Sequence, residues 1–138
     1  MAADGQVRVD PYGAHNFTVE INDVAVAFAE VSGLGYEFDY TDADQSFTSH
    51  VTDVTLRRGI TGDTTVWSWV RSAMRGRPDG RTVTIRLLDD RRAEVCAWVL
   101  REARLRRWSG PTLNAIGGTI AIEEIVLTAQ SLEFVAPG

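Results

Sequence analysis

The stretch from Thr55 to Met74, Thr-Leu-Arg-Arg-Gly-Ile-Thr-Gly-Asp-Thr-Thr-Val-Trp-Ser-Trp-Val-Arg-Ser-Ala-Met, constrains the fold more than any other part of the chain. It reads as an extended segment, a turn over Gly59 to Asp63, and then the only convincing helix in the sequence. Asp63 suits the N-cap, because its carboxylate accepts from free amides of the first turn and its charge suits the positive end of the helix dipole. Gly76 and Pro78 supply the stop. Val66, Trp67, Trp69, Val70, Ala73 and Met74 fall within roughly 160° of arc. A helix of about 18 Å does not persist alone, so this apolar arc needs a sheet to lie on.

A length of 138 residues fits one domain with a core of its own, here expected over residues 13–138 after a flexible or partner-ordered arm at residues 1–12. The single cysteine, Cys96, sits in an apolar run, which excludes a disulfide framework and reads as a small buried hydrophobe. Neither a Sec-type leader nor an apolar run of about 20 residues is visible, so no membrane span is expected. Residues 1–56 hold ten acids and one base, and residues 57–138 hold nine acids and thirteen bases; the balances of −9 and +4 give the net −5. That total argues against a dedicated nucleic-acid binder, and the cluster Arg101, Arg104, Arg106 and Arg107 reads as a solvated strand face or a contact to another subunit.

Strand-like alternation begins at Phe17. Phe17, Val19 and Ile21 form one run, and Val24 to Val31 forms a second across Asn22-Asp23, together a β-hairpin ended by Ser32-Gly33-Leu34-Gly35. Tyr36 to His50, with Glu37, Asp39, Asp42 and Asp44, is expected as a long projecting loop. Its anchors Tyr36, Phe38, Tyr40 and Phe47 leave two readings, a mobile acidic loop or one that orders against a neighbouring chain. Val83, Ile85 and Leu87 mark an amphipathic strand after a turn at Arg77 to Gly80, and Asp89 to Arg92 is a further turn. Ala93 to Leu100 is apolar on both faces, hence central or covered by another subunit, and its charged continuation to Trp108 emerges from cover. In the last element, Thr119 to about Thr128, Ile120 and Ile122 stand in one phase and Ile125 and Leu127 in the other, which suggests a bulge at Glu123-Glu124. The total is about six strands, one helix and one long loop.

The inventory for catalysis is poor. His15 and His50 have no metal-ligand spacing with each other or with Cys96, so neither a metal site nor a cofactor is expected. Ser109-Gly110 and Gly117-Gly118 lack the strand-to-helix context of a nucleophile elbow or phosphate cradle. Adjacent Glu123 and Glu124 point to opposite faces of a strand and make a poor acid/base pair. Trp67 and Trp69 read as core packing rather than ligand stacking.

Five segments, in order, resemble the tail tube proteins of contractile phages and the inner tube proteins of extracellular contractile injection systems. They are Phe17-Thr-Val-Glu-Ile, Val31-Ser-Gly-Leu, Val54-Thr-Leu-Arg-Arg-Gly-Ile-Thr, Trp108-Ser-Gly-Pro-Thr-Leu-Asn-Ala and Ile120-Ala-Ile-Glu-Glu-Ile. The resemblance covers residues 10 to 134. It implies an antiparallel β-barrel or two packed β-sheets with one flanking helix, a fold shared with the haemolysin-coregulated protein of type VI secretion. It further implies hexameric rings stacked into a hollow tube, with a contractile sheath, baseplate or spike and terminator as partners. Cargo effectors or phage DNA would pass through the lumen, and the subunit would be cytoplasmic until built into a particle.

On this reading the protein is not an enzyme, and its expected subunit-interface residues are Tyr36, Phe38, Asp39, Tyr40, Asp42, Asp44, Phe47, Arg57, Arg58, Gly59, Trp67 and Trp69. The Tyr36 to His50 segment would contact the adjacent ring, and the helix would brace neighbouring subunits. Gly59, placed in a turn, would have to stay small, so that Gly59→Val blocks assembly. The rival reading is a soluble monomeric binding module or effector carrier that uses the barrel or the helix face.

Overall fold

The computed structural model describes residues 11–43, 45–76 and 79–136; of the expected N-terminal arm, only Pro11 and Tyr12 fall within them. β1 (Phe17–Ile21) turns into β2 (Val24–Ala25) through Asn22 and Asp23. Their φ values of 49° and 67° belong to the two-residue turn whose twist matches that of the strands. The turn is held from the side, since Asn22 Oδ1 accepts from the Thr82 amide at 2.9 Å. β1 lies on β7 (Arg81–Leu88), with Phe17 opposite Leu87 and Ile21 opposite Val83, so the expected alternation sends Val19, Ile21, Val83 and Ile85 into the core.

The single strand expected over Val24 to Val31 is instead two. The Val26 amide still reaches the Val19 carbonyl at 2.9 Å, but the Ala29 amide donates to Arg57 O at 2.8 Å. The chain thus crosses layers, and β3 (Glu30–Ser32) pairs with β6 (Val54–Gly59). Alternation records which face is buried and is blind to which strand provides the hydrogen bonds.

β8 (Glu94–Ser109) joins the two layers. Its first half has β7 on one edge and β10 (Ser131–Val135) on the other, while β9 (Ile122–Thr128) follows its second half. Thr128 faces Arg104, Ser131 faces Arg101, and the Gln130 amide donates to Arg101 O at 3.0 Å, so β9 and β10 are successive parts of one arm along one edge of β8. β10 has no counterpart in the sequence reading. Opposite the step between Arg81 and Val83, Glu102 takes φ 50°, a bulge at which β8 bends and the ladder folds over. The order β2-β1-β7-β8-β9-β6-β3 ends without closing, which gives two packed sheets rather than a barrel. Val19, Ile21, Val83, Ile85 and Leu100 meet Val54, Leu56, Ile125 and Leu127 in one core. α1 (Thr65–Met74) adds Val66, Trp69 and Val70 to it.

Three further expectations change. Gly59 is the last residue of β6, opposite Ile122, and the ladder runs on through Ile60 N–H to Ala121 O at 3.0 Å, so the turn begins later. The helix cap is Thr64 rather than Asp63, although Asp63 Oδ1 still accepts from the Thr65 amide at 2.9 Å from just outside the helix. At the far end Gly76 takes φ 73°, whereas Pro78 lies outside the described residues. No bulge occurs at Glu123-Glu124 on the β6 side, where the register runs unbroken from Val54/Leu127 to Gly59/Ile122. Ile120 precedes the strand and is exposed, which accounts for the apparent change of phase, and the irregularity falls on β8 between Leu105 and Arg107.

Two glycines therefore differ in a way their sequence positions do not reveal. Gly33, at φ 88°, packs so closely that an added Cβ would run into the Asp53 carbonyl. At Gly59 the nearest atom to an added Cβ is Ile120 Cγ2 at 3.5 Å, an ordinary contact. Gly33→Ala is expected to destabilise the subunit by about 2 kcal/mol or more, since the left-handed backbone alone costs a side chain roughly 1–2 kcal/mol. Gly59→Val should fold with a change within about 1 kcal/mol, because the tight turn held to forbid it is absent. Urea midpoints of the two variants test this ranking.

Candidate interface site

The segment Tyr36 to His50 is not a loop. It forms a hairpin of β4 (Tyr36–Thr41) and β5 (Ser46–Val51), joined by residues 42–45, and it satisfies its own backbone groups in a separate two-stranded sheet. Directly opposed residues share a face, and the pairs Tyr36/Val51, Phe38/Ser49 and Tyr40/Phe47 make one face aromatic. Its rings are paired, Tyr36 with Phe38 at 6.3 Å and Tyr40 with Phe47 at 5.8 Å. The pairs Glu37/His50 and Asp39/Thr48 make the other face polar and acidic, with His50 Nε2 3.3 Å from Glu37. Asp42 is exposed in the turn, and Asp44 lies outside the described residues.

Apart from its root at Val51, the hairpin is exposed along its length, Phe38 at 56 % and Tyr40 at 75 %. The Tyr36 hydroxyl holds the base in place by donating to Leu132 O at 2.9 Å and accepting from Leu132 N–H at 2.7 Å. Both groups belong to the outer edge of β10, which this phenol caps. The signal for a hairpin was the period of two in Tyr36, Phe38 and Tyr40, which the acidic composition obscured.

The expected residues of β6 and α1 divide between surface and interior. Arg57 is half-exposed and shares Glu124 with Arg107, at 3.8 and 3.4 Å. Arg58 is buried, with Nε donating to Glu123 Oε1 at 2.6 Å and Nη1 and Nη2 to Asp63 Oδ2 and O at 3.1 Å each. Its guanidinium stands 5.6 Å from the Phe28 ring, and Trp108 Nε1 donates to Glu123 Oε2 at 3.1 Å. Arg58 therefore ties β6 to β9 and to the approach to α1, and offers little surface to a partner. The Thr65 amide, the Thr65 hydroxyl and Arg58 together hold the Asp63 carboxyl below its ordinary range.

Trp69 is likewise inside, at 0 % exposure, with Nε1 donating to Asp79 O at 3.0 Å and Arg81 stacked 5.1 Å from the ring. Trp67, at 44 % exposure, meets the Trp108 ring edge-on at 5.4 Å and remains open on its other side. The sequence puts the two tryptophans at opposite edges of one arc, one of them expected against a neighbouring subunit; of the two, only Trp67 is open to solvent. Sequence reading also passed over Leu113 and Ile116, exposed between β8 and β9.

Among the described residues no cluster of histidine, cysteine or carboxylate side chains is arranged to hold a metal ion. His15 and His50 each face a single acid, Asp90 at 3.9 Å and Glu37. Burial pushes the Cys96 thiol up from its ordinary value, away from the thiolate form a nucleophile needs. Glu123 and Glu124 face opposite ways, as expected, each committed to arginine. No described helix is long and apolar enough to cross a membrane.

A family model for the T4-like virus tail tube protein gp19 matches residues 13–133. Among solved structures, a chain of the PVC sheath-tube complex, an extracellular contractile injection system in the extended state, is 26% identical with a TM-score of 0.77, over 91% of this chain and 92% of that one. A chain of the PVC sheath/tube terminator is 26% identical with a TM-score of 0.80, over 94% and 100%. Hcp1 from Flavobacterium johnsoniae shares the fold at 12% identity, with a TM-score of 0.63 over 86% and 93%. No curated protein sequence matches significantly.

Proposed function

The chain belongs to the T4-like virus tail tube protein gp19 family and is a structural tube subunit, and from that premise we propose that copies close into hexameric rings that stack through the Tyr36 to His50 hairpin. The stacked rings form a hollow inner tube inside a contractile sheath, ended by a terminator and seated on a baseplate with its spike. Cargo effectors or DNA pass through the lumen when the sheath shortens. Subunits fold in the cytoplasm as single domains over residues 13–138, act in a phage tail or injection particle, and catalyse nothing.

The observation that carries this reading is the hairpin itself. An aromatic face that its own chain leaves bare is a liability in a monomer and an anchor in an assembly. Phe38, Tyr40 and Phe47 supply the ring-stacking anchor, with Asp39 on the opposite face and Asp42 in the turn. Trp67 and Arg57 contact the neighbour within a ring. The solved likenesses within a sheath-tube complex and a sheath/tube terminator support the choice of partners.

Replacing residues 37–50 by a short Gly-Ser link is expected to leave a folded subunit that forms no tubes, as read by electron microscopy and solution mass. If the intact protein yields neither rings nor tubes under any assembly condition, sheath protein included, the proposal is wrong. A strictly monomeric protein with a saturable small ligand would establish a binding module in its place.

A further inference from the structure

The hairpin has two unlike faces, and stacking through the aromatic one leaves the acidic one unexplained. Glu37 and Asp39 lie on that second face, Asp42 follows in the turn, and His50 is its single basic group among the described residues. A face of this kind is matched by a surface that carries only positive charge.

The described arginines narrow the choice. Arg57, Arg58, Arg81, Arg86, Arg101, Arg106 and Arg107 each lie within 4 Å of a carboxylate of their own chain. Arg91, Arg92 and Arg104 make no ion pair among the described residues, but Arg91 and Arg92 share their turn with Asp89 and Asp90, and Arg104 borders a hollow that Glu102 also lines. Arg71 and Arg75 are different. They are one helical turn apart on the exposed side of α1, in no ion pair among the described residues, and border a shallow hollow with Ser68, Ser72 and Arg81. The nearby carboxylate, Asp79, is held by Arg81 at 2.9 and 3.1 Å. On the same side of the helix, Trp67 and Met74 are 44 % and 73 % exposed.

We infer that the acidic face of the hairpin, through Glu37 and Asp39, docks on the Arg71–Arg75 face of α1 in a second copy of this chain. Both faces are open within one chain, so neither covers the other there. The contact joins two different patches and is therefore heterologous, the type that propagates into rings or filaments instead of ending at a dimer. The hairpin is then a two-sided wedge, its aromatic face on apolar surface and its acidic face on the helix of an adjoining copy. This inference rests on the tube reading and adds the surface that receives the hairpin.

The test is a charge exchange. Arg71→Glu with Arg75→Glu, and separately Glu37→Arg with Asp39→Arg, should each raise the critical concentration for tube formation by about tenfold or more. All four substitutions sit on exposed side chains, and unchanged circular dichroism and thermal midpoints verify the fold. Mixing the two variants sets the basic hairpin of one against the acidic helix face of the other and should restore assembly in alternating copies, and the fourfold variant should return to within about threefold of the parent. If a reversal unfolds the subunit, Arg71→Gln with Arg75→Gln takes its place.

A helix variant that assembles like the parent, or a fourfold variant no better than either double, overturns the docking while the tube reading stands. Helix variants that build normal tubes but no longer bind sheath protein also overturn it, assigning the arginines to the sheath. Parent protein that forms no tubes sinks both readings.

Discussion

Arg58→Met should lower the stability of the dissociated subunit by about 3–5 kcal/mol, the usual cost of removing one member of a buried ion pair. The substitution keeps most of the side-chain volume, so the loss is electrostatic. Glu123, at 13% side-chain exposure, would keep one hydrogen bond from Trp108 Nε1 and lose the guanidinium 2.6 Å away. Asp63 would lose two further hydrogen bonds from the same group. Against a total of about 5–15 kcal/mol, that is a large share.

The double variant Arg58→Met with Glu123→Gln should recover most of the loss, because no unpaired charge then remains inside. Urea unfolding at one fixed subunit concentration, with tubes absent, gives the cycle without the stabilisation that assembly adds. Equal stability of Arg58→Met and parent would mean that the network contributes nothing. The parent has an acid limit from the same region. Asp63 is held below the ordinary carboxylate range, so its contribution is complete above the unfolded value of about 4 and fades as pH falls through the lowered folded one.

That network shows where sequence reasoning reached and where it stopped. Alternation and helical periodicity are local properties of the chain, so the order strand, turn and helix over Thr55 to Met74 is legible in the sequence, while the start of the turn and the cap residue are not. The opposite facing of Glu123 and Glu124 followed from strand geometry alone. What each met did not, since Arg58 and Glu123 are 65 residues apart and their contact depends on β6 pairing with β9. Strand pairing also decided the fate of Val24 to Val31, whose apolar pattern is the same whether it completes one hairpin or crosses to another sheet.

The hairpin was misread for a different reason. Its acidic composition suggested a segment unable to order itself, yet two strands need no core to pair when their aromatic side chains stack across them. β10 escaped notice because it continues the arm of β9 beyond a break at Ala129 and Gln130. Of the residues expected at an interface, burial separates those that stay open from those that do not. Arg58 and Trp69 fell to the interior and Trp67 to the surface.

Those two tryptophans, two positions apart on one helix, should give opposite results when truncated. Trp69→Ala is expected to cost about 3–5 kcal/mol, the range for emptying a buried aromatic site. The Asp79 carbonyl would lose its indole donor and Arg81 the ring beneath it. A ten-residue helix has little stability of its own, so loss of its central anchor should loosen all of α1, visible as reduced helical ellipticity and faster amide exchange from Thr65 to Met74. Trp67→Ala should cost only about 1 kcal/mol, since the ring is half-exposed and its edge contact with Trp108 belongs to a class worth roughly 0.5–1.5 kcal/mol.

Assembly should rank differently. Trp67→Ala should remain a folded subunit and fail to build rings, because what it removes is surface. Trp69→Phe, which keeps most of the buried volume, should assemble near normally once it folds. If Trp67→Ala closes rings at the parent's concentration, α1 does not brace the join between subunits, and Trp67 is left exposed for some other contact.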